Sequence, residues 1–116
     1  LKSAVPHLLS RGGGSIVNVG AYGARQGQAA MSAYCAAKSV VMRLTESLAD
    51  EVRDRGVNVN AVLPTVIDTA VNREAMPDVD PSQWVAPADL ANVICFLGSG
   101  AARAVHGALV PVRGLS

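Results

Sequence analysis

Two short apolar runs, joined by one long amphipathic stretch, constrain the fold of this chain more than any other feature. Residues 15–20 and 57–63 are rich in β-branched side chains and are bounded by glycine or proline, which is typical of buried strands. Between them, residues 32–55 repeat apolar side chains at spacings of three and four, at Ala37, Val41, Leu44, Leu48 and Val52. This period predicts an amphipathic helix that has Ser32 as its N-cap and stops at Gly56.

The remainder of the chain continues the alternation of helix and strand. Residues 1–10 have the pattern of the end of an apolar helix, and residues 70–75 that of a short one. Pro87 suits the first turn of a further helix. Residues 108–112 predict a third strand, in which Pro111 indicates an edge position because proline cannot donate to a ladder. The sequence therefore predicts an α/β fold with a parallel sheet of about three strands and helices on its faces.

The composition is that of a globular domain, since 50% of the 116 residues are hydrophobic and 16% are charged. The net charge is +1 and four residues are aromatic, so neither a nucleic acid nor a membrane is an expected partner. Cys35 and Cys95 have no Cys or His at ligand spacing, which predicts reduced thiols and no metal site. The first residues carry no signal-peptide pattern, and we expect a cytoplasmic protein.

Tyr34 and Lys38 stand one helical turn apart, on the same face of the predicted helix. A lysine cation held beside a phenol favours the phenolate and moves the tyrosine toward proton-transfer chemistry. Such pairs are also common on ordinary helix surfaces. The position favours the catalytic interpretation, because open α/β sheets place their ligands where this helix begins, after the carboxyl end of a strand.

With these motifs in order, the chain resembles the second half of the short-chain dehydrogenase/reductase family. Residues 14–19 and 57–62 are similar to the family's fifth and sixth strands, and residues 64–69 to its P-G-x-x-x-T segment. Tyr34 and Lys38 match the Y-x-x-x-K pair. The resemblance implies that residues 1–116 are the C-terminal half of a single Rossmann-like domain with a three-layer αβα architecture, without its dinucleotide-binding half.

The resemblance also implies roles for individual residues. Tyr34 would donate or accept the proton, while Lys38 would favour its phenolate and hold the nicotinamide ribose. The expected cofactor is NAD or NADP, and the substrate is a small molecule. The residues expected near the cofactor are Lys38, Tyr34, Asn18, Pro64, Ile67 and Thr69. The family further implies a homodimer or homotetramer through the helix of residues 32–55, and a chain that is inactive without the other half.

Three departures from the family pattern stand out. Ala21 occupies the position of the catalytic serine, thirteen residues before the tyrosine, and an alanine cannot donate to a developing oxyanion. Thr65 replaces the glycine that follows Pro64. No glycine-rich turn joins an early strand to its helix, so the chain lacks the fingerprint that cradles a pyrophosphate.

The alanine points to a narrower resemblance, to dihydropteridine reductase-like members that also have alanine there. Residues 62–69, with Met76 and Trp84, are similar to their later segment. This resemblance implies a quinonoid dihydropterin-like substrate in contact with Ala21, Met76 and Trp84. Two alternatives stay open: an oxidoreductase acting on carbonyls and alcohols, and a truncated, non-catalytic paralogue that serves as an interaction module.

Overall fold

The structure, a computed structural model, describes residues 4–116. Three parallel strands form one sheet in the order β1-β2-β3, and helices lie on its faces. The elements are α1 Ala4–Ser10, β1 Gly14–Val19, α2 Ser32–Val52, β2 Val57–Pro64, α3 Ala70–Ala75, α4 Pro87–Leu97 and β3 Leu109–Val112. The predicted α/β class and parallel sheet are confirmed.

Strand β2 is the centre of the core, and all eight of its residues are buried. Because side chains alternate along a strand, its two faces meet different helices. Val57 and Val59 pack with Ala49 and Val52 of α2. On the opposite face, Val62 belongs to the cluster that includes Leu90 and Leu97 of α4. The sheet therefore lies between two helical layers.

Strand β3 lies at one edge of the sheet, as Pro111 predicts. Its register sets Leu109 beside Ala61 and Pro111 beside Leu63. Pro111 is exposed, so its missing N–H leaves no gap in the β2–β3 ladder.

Helix α2 has the predicted position, and of the predicted apolar stripe Val52 is buried and Val41 and Leu48 are half-buried, but the other two positions face outward. Leu44 is 50% exposed and Ala37 is exposed. The buried residues of the helix are Cys35, Met42, Thr45, Ala49 and Val52. The Thr45 hydroxyl is fully buried, and both its hydrogen-bonding roles are satisfied, because it donates to Val41 O and accepts from the Asn18 amide.

The prediction is wrong for the first residue of α2 and correct for the end of the helix. Ser32 is the first helical residue rather than the N-cap, since Met31 holds that position and no side chain caps the helix. At the other end, a 3-10 turn at Arg53–Arg55 leads to Gly56, whose φ of +76° is left-handed. The predicted glycine stop is confirmed. A Cβ at Gly13 would lie 2.6 Å from the Gly56 carbonyl oxygen, which requires glycine where the two turns meet.

Two buried asparagines of β2 hold the connection between α4 and β3. The Asn58 amide donates to the carbonyl oxygens of Ala102 and Val105, at 3.0 and 3.1 Å. The Asn60 amide also donates to Val105 O, and its side-chain oxygen accepts from Ala108 N. These bonds fix residues 102–108 against the end of the sheet from which β2 begins.

Candidate active site

The carboxyl ends of all three strands meet at one edge of the sheet, and a hollow opens there beside the first turn of α2. Its volume is about 270 Å³. We call it the sheet-edge hollow; it is lined by Ala21, Tyr22, Gly23, Gln28, Met31, Tyr34, Cys35, Pro64, Thr65 and Val66. The segment after β1, the end of β2 and the start of α2 contribute these residues. Parallel sheets place ligands at this edge.

Tyr34 stands in this wall with its side chain 47% exposed, and Lys38 follows one turn along α2, half-buried. Within residues 4–116, neither side chain forms an ion pair with a carboxylate. The phenol and the ammonium group are thus both available to a ligand.

Ala21 is 7% exposed and presents its methyl group to the same hollow. Ser15 lies at the opposite end of β1, in register with Asn58. The Thr65 hydroxyl lines the hollow but donates to Arg113 O, 3.1 Å away, and contacts the Ser116 hydroxyl. The position expected to carry a serine is therefore apolar.

The segment after Pro64 leads away from the hollow into α3. Thr69 caps this helix, since its hydroxyl accepts from Asn72 N at 3.2 Å. The carbonyl oxygen of Ile67 accepts from the Asn72 amide at 2.8 Å. On either side of Ile67 the chain is tied to Val85, through Asp68 N and Val66 O, so the residue has a fixed main-chain direction.

An ion pair supports this segment. Arg73 donates to both carboxylate oxygens of Asp68, at 2.6 and 2.9 Å. This hydrogen bond lowers the pKa of the Asp68 carboxyl and raises the pKa of Arg73. The pair braces the turn between residues 67 and 73.

The structure brings some of the predicted site residues together and separates others. Ala21, Tyr34 and Pro64 share the sheet-edge hollow, whereas Ile67, Thr69, Met76 and Trp84 are not in its wall. The Trp84 side chain is buried in the packing of the molecule. Asn18 lies between β1 and α2, and its amide donates to Thr45 at 2.9 Å. These placements give Trp84 and Asn18 packing contacts rather than contacts with the hollow.

Sequence reasoning missed a group of polar residues at the rim. The Tyr22 ring lies in the wall of the hollow, and the guanidinium carbons of Arg25 and Arg113 are 3.6 and 4.5 Å from its centroid. Arg113 also donates to the Tyr22 hydroxyl at 3.0 Å. A signal was present, because Arg113 directly follows the third strand and Tyr22 follows the first one at a two-residue interval.

Among the residues that the structure covers, no group of three His, Cys, Asp or Glu side chains is arranged to hold a metal ion. In that same part of the chain, no helix combines the length and the apolar character needed to cross a membrane.

Known proteins of one family are similar to this chain in sequence. The model of the family described as short chain dehydrogenase matches residues 1–80. Cis-4-hydroxycyclohexanecarboxylate dehydrogenase of Sinomonas cyclohexanicum is 37% identical over 97% of this chain and 49% of its own length. For 2,5-dichloro-2,5-cyclohexadiene-1,4-diol dehydrogenase of Sphingobium indicum the identity is 33%, over 98% of this chain and 49% of the relative.

A structure of actinorhodin polyketide ketoreductase with NADPH superposes with a TM-score of 0.80 at 29% identity. It covers 92% of this chain, which in turn covers 48% of the ketoreductase. The chain thus spans about half the length of the relatives it matches. The match to the family model and the identity over nearly the whole chain establish that this protein belongs to the short chain dehydrogenase family.

Proposed function

We propose that the complete natural protein containing these residues is an NAD(P)-dependent oxidoreductase that interconverts a carbonyl and an alcohol. The observation that carries this proposal is Tyr34 in the wall of the sheet-edge hollow, with Lys38 one helical turn after it on α2, in a chain that belongs to the short chain dehydrogenase family. The relatives described above are named as dehydrogenases and a ketoreductase, which supports carbonyl and alcohol chemistry.

In this proposal the chain supplies the proton and part of the cofactor site. NAD(P)H, when bound, supplies the hydride to the carbonyl carbon. The Tyr34 hydroxyl donates its proton to the carbonyl oxygen, so that the product is the neutral alcohol. Lys38 stabilises the resulting phenolate, which an ammonium group without a carboxylate partner can do. The reverse reaction uses Tyr34 as the base.

The residues for the nicotinamide end fit such a cofactor in part. Pro64 lies in the wall of the hollow, and Ile67 is held in a fixed direction by its neighbours. The Thr69 hydroxyl oxygen accepts a hydrogen bond from Asn72 N, and its O–H can still donate to a ligand. We assign these three residues, with Lys38 and Tyr34, to the nicotinamide end, and Asn18, whose amide donates to Thr45, to the support of that end.

A second candidate is reduction of a quinonoid dihydropterin. It rests on Ala21, which leaves the wall beside Tyr34 without the hydroxyl that an isolated carbonyl would use. A conjugated, electron-poor ring spreads the added charge over several heteroatoms, so it depends less on any single hydrogen-bond donor.

We also propose that the chain corresponds to the C-terminal half of a single domain, and that the other half of that domain holds the pyrophosphate.

The exposed face of α2 supports the proposed assembly into a homodimer or homotetramer. Val40 and Leu44 are one turn apart and 54% and 50% exposed. The Arg43–Glu46 ion pair, at 2.9 Å, runs alongside them. Apolar side chains flanked by charge complementarity suit contact with a second copy of the same helix.

The test of the proposed reaction is Tyr34→Phe in the complete natural protein. We expect kcat/KM to fall by about 10²- to 10⁴-fold, the usual contribution of a general acid, with dinucleotide affinity nearly unchanged. Lys38→Ala should lower both. Steady-state kinetics and a dinucleotide titration measure the two effects.

Tyr22→Phe is the matched control, because it removes the other phenolic hydroxyl from the same hollow. For a ketone without a carboxylate it should reduce kcat/KM by less than about tenfold, since the Tyr22 hydroxyl already accepts a hydrogen bond from Arg113. A Tyr34→Phe variant with more than about a tenth of the original activity would remove Tyr34 from the mechanism. Absence of any turnover in the unmodified protein would favour the interaction module.

A further inference from the structure

Two arginines share one aromatic ring at the rim of the sheet-edge hollow. The guanidinium carbons of Arg25 and Arg113 lie 3.6 and 4.5 Å from the Tyr22 centroid, so both positive charges border the same ring. Two like charges around one ring raise the local positive potential, which favours the binding of an anion beside them.

Both side chains are held in place rather than free to separate. Arg25 Nε donates to the Tyr22 carbonyl oxygen at 3.2 Å. Arg113 donates from Nη1 to the Tyr22 hydroxyl and from Nε to the main-chain oxygen of Ser116, at 3.0 and 2.8 Å. These bonds leave N–H groups of both guanidinium forks unused, which are the donors that a planar oxyanion takes.

The main chain that carries Arg113 is fixed as well. Thr65 donates to Arg113 O, and Leu115 N donates to Gln83 O. Gly114 has a φ of +59°, and a Cβ there would lie 2.9 Å from Trp84 O, so the chain turns tightly against the segment before α4. Arg113 is thus presented by a rigid loop.

Within residues 4–116, no Asp or Glu side chain forms an ion pair with either arginine of the pair. The ion pairs within residues 4–116 join Arg43 to Glu46, Arg53 to Asp50 and Arg73 to Asp68. Arg25 and Arg113 form none in that range, although the chain has nine acidic residues. The charge at the rim is therefore available to a ligand.

The arginine pair adjoins the proposed reaction site. Tyr22, Gly23 and Gln28 line the sheet-edge hollow together with Tyr34, and the same three residues line a second, smaller hollow that holds Arg25. The wall that carries Tyr34 therefore continues to Tyr22, whose ring both arginines border.

We propose that the site selects small substrates that carry a carboxylate, with Arg25 and Arg113 holding the carboxylate while the carbonyl or alcohol carbon lies at Tyr34. This inference rests on the proposed function and names its substrate class. The small volume of the hollow, about 270 Å³, suits a single ring or short chain. The Sinomonas cyclohexanicum relative is named for a hydroxycyclohexanecarboxylate, which has this chemistry.

The binding experiment uses the complete natural protein and two probes of the same shape, cyclohexanecarboxylate and cyclohexanecarboxamide, titrated by calorimetry. The carboxylate should bind more tightly than the carboxamide. Arg25→Gln and Arg113→Gln should each weaken carboxylate binding by about 10- to 100-fold, as expected for charge-assisted hydrogen bonds, and leave the carboxamide unaffected.

Arg103→Gln is the matched control, because it removes the same charge from an exposed arginine beside Ala102, near the amino end of β2. It should change neither affinity. Arg25→Lys and Arg113→Lys keep the charge and should weaken carboxylate binding less than the glutamine variants. Equal binding of the two probes, no binding of the carboxylate, or unchanged affinity in both glutamine variants would overturn the proposal.

A kinetic experiment separates this proposal from the proposed function. The substrates are 4-oxocyclohexanecarboxylate and its carboxamide, and kcat/KM should favour the carboxylate only while both arginines are present. Turnover without such a preference overturns the anion site and leaves the oxidoreductase. Selective carboxylate binding without turnover overturns the oxidoreductase and leaves the anion site.

The phosphates of the dinucleotide are the competing anions. The KM for NADH and NADPH should be unchanged in Arg25→Gln and Arg113→Gln. A raised KM for either dinucleotide, together with unchanged carboxylate binding, would assign the arginines to the cofactor and overturn the proposal.

Discussion

At Ala21 a methyl group lies in the same wall as the Tyr34 phenol, together with the apolar side chains of Met31, Pro64 and Val66. The residue is almost fully buried, yet it borders open space in the hollow. The chemistry of the side chain at this position therefore affects which substrate the site can activate.

We expect Ala21→Ser to raise kcat/KM for simple ketones by about 10- to 100-fold, because a hydroxyl donor appears where the oxyanion forms. Reduction of a quinonoid dihydropterin should stay unchanged or fall, since its charge is already delocalised. Ala33→Ser is the control: it adds a hydroxyl at an exposed position outside the hollow. Steady-state kinetics on both substrate classes measure the effect.

The same kinetics on the unmodified protein decide between the two substrate classes. If ketones are preferred over pterins by even tenfold in kcat/KM, the dihydropterin candidate fails. If pterins are preferred and Ala21→Ser leaves their reduction unchanged, the carbonyl candidate fails.

At the scale of elements, polar contacts between distant segments hold the sheet to its connections. Asn60 is fully buried and bonds to both Val105 O and Ala108 N. We expect Asn60→Leu to lower the free energy of unfolding by about 2–4 kcal/mol, because a buried carbonyl and a buried N–H lose their partner. Denaturant unfolding measures the loss.

Asn92→Leu is the matched control for this change, since Asn92 is exposed on α4. It should alter the free energy of unfolding by no more than about 0.5 kcal/mol. An Asn60→Leu variant as stable as Asn92→Leu would show that residues 102–108 do not depend on β2 for their position.

The Asp68–Arg73 pair makes the stability of the α3 segment depend on pH. The pKa of Asp68 is lowered in the folded chain, chiefly by the hydrogen bond from Arg73. The pair therefore stabilises the fold above the ordinary pKa of 3.8, and this contribution is lost as the pH falls through the lowered value. Unfolding curves for the unmodified protein and Asp68→Asn should differ at neutral pH and converge below about pH 4.

Arg73→Gln should lose the same pH-dependent stabilisation as Asp68→Asn, because it removes the donor of the hydrogen bond instead of the acceptor. Asp80, whose pKa is lowered by hydrogen bonds from Ser82, is unchanged in both variants and contributes equally. A difference between the unmodified protein and Asp68→Asn that persists to the lowest pH would contradict the assignment.

The elements themselves were predictable from the sequence, and their orientation was less so. Helix α2 has a long 3.6-residue period with a glycine stop, and these signals are local. Its apolar period includes Leu44 and omits Thr45, whose burial depends on a contact with Asn18 of another element. The Tyr22–Arg113 bond joins residues 91 positions apart, and only their shared position after parallel strands indicates it from the sequence.

On the scale of the whole molecule, the exposed apolar face of α2 predicts self-association. Leu44→Glu should place a carboxylate in the contact and dissociate the oligomer, which sedimentation velocity on the complete protein would detect. Val71→Glu makes the same change at a 75% exposed apolar residue of α3 and should leave the assembly intact. Identical sedimentation of both variants would exclude α2 as the contact.

The central position of β2 also has a kinetic consequence. Its ladders join Gly14 to Val57 and Ala61 to Leu109, so both require the closure of long loops before they form. Until these ladders form, β2 is an unpaired apolar strand with high β-propensity. Such a segment can pair with strands of other chains and start aggregation. Asn58 and Asn60 lower the hydrophobicity of that strand while the chain is unfolded. The same two side chains that fasten the finished sheet thus reduce the apolar surface that the strand exposes before it is paired.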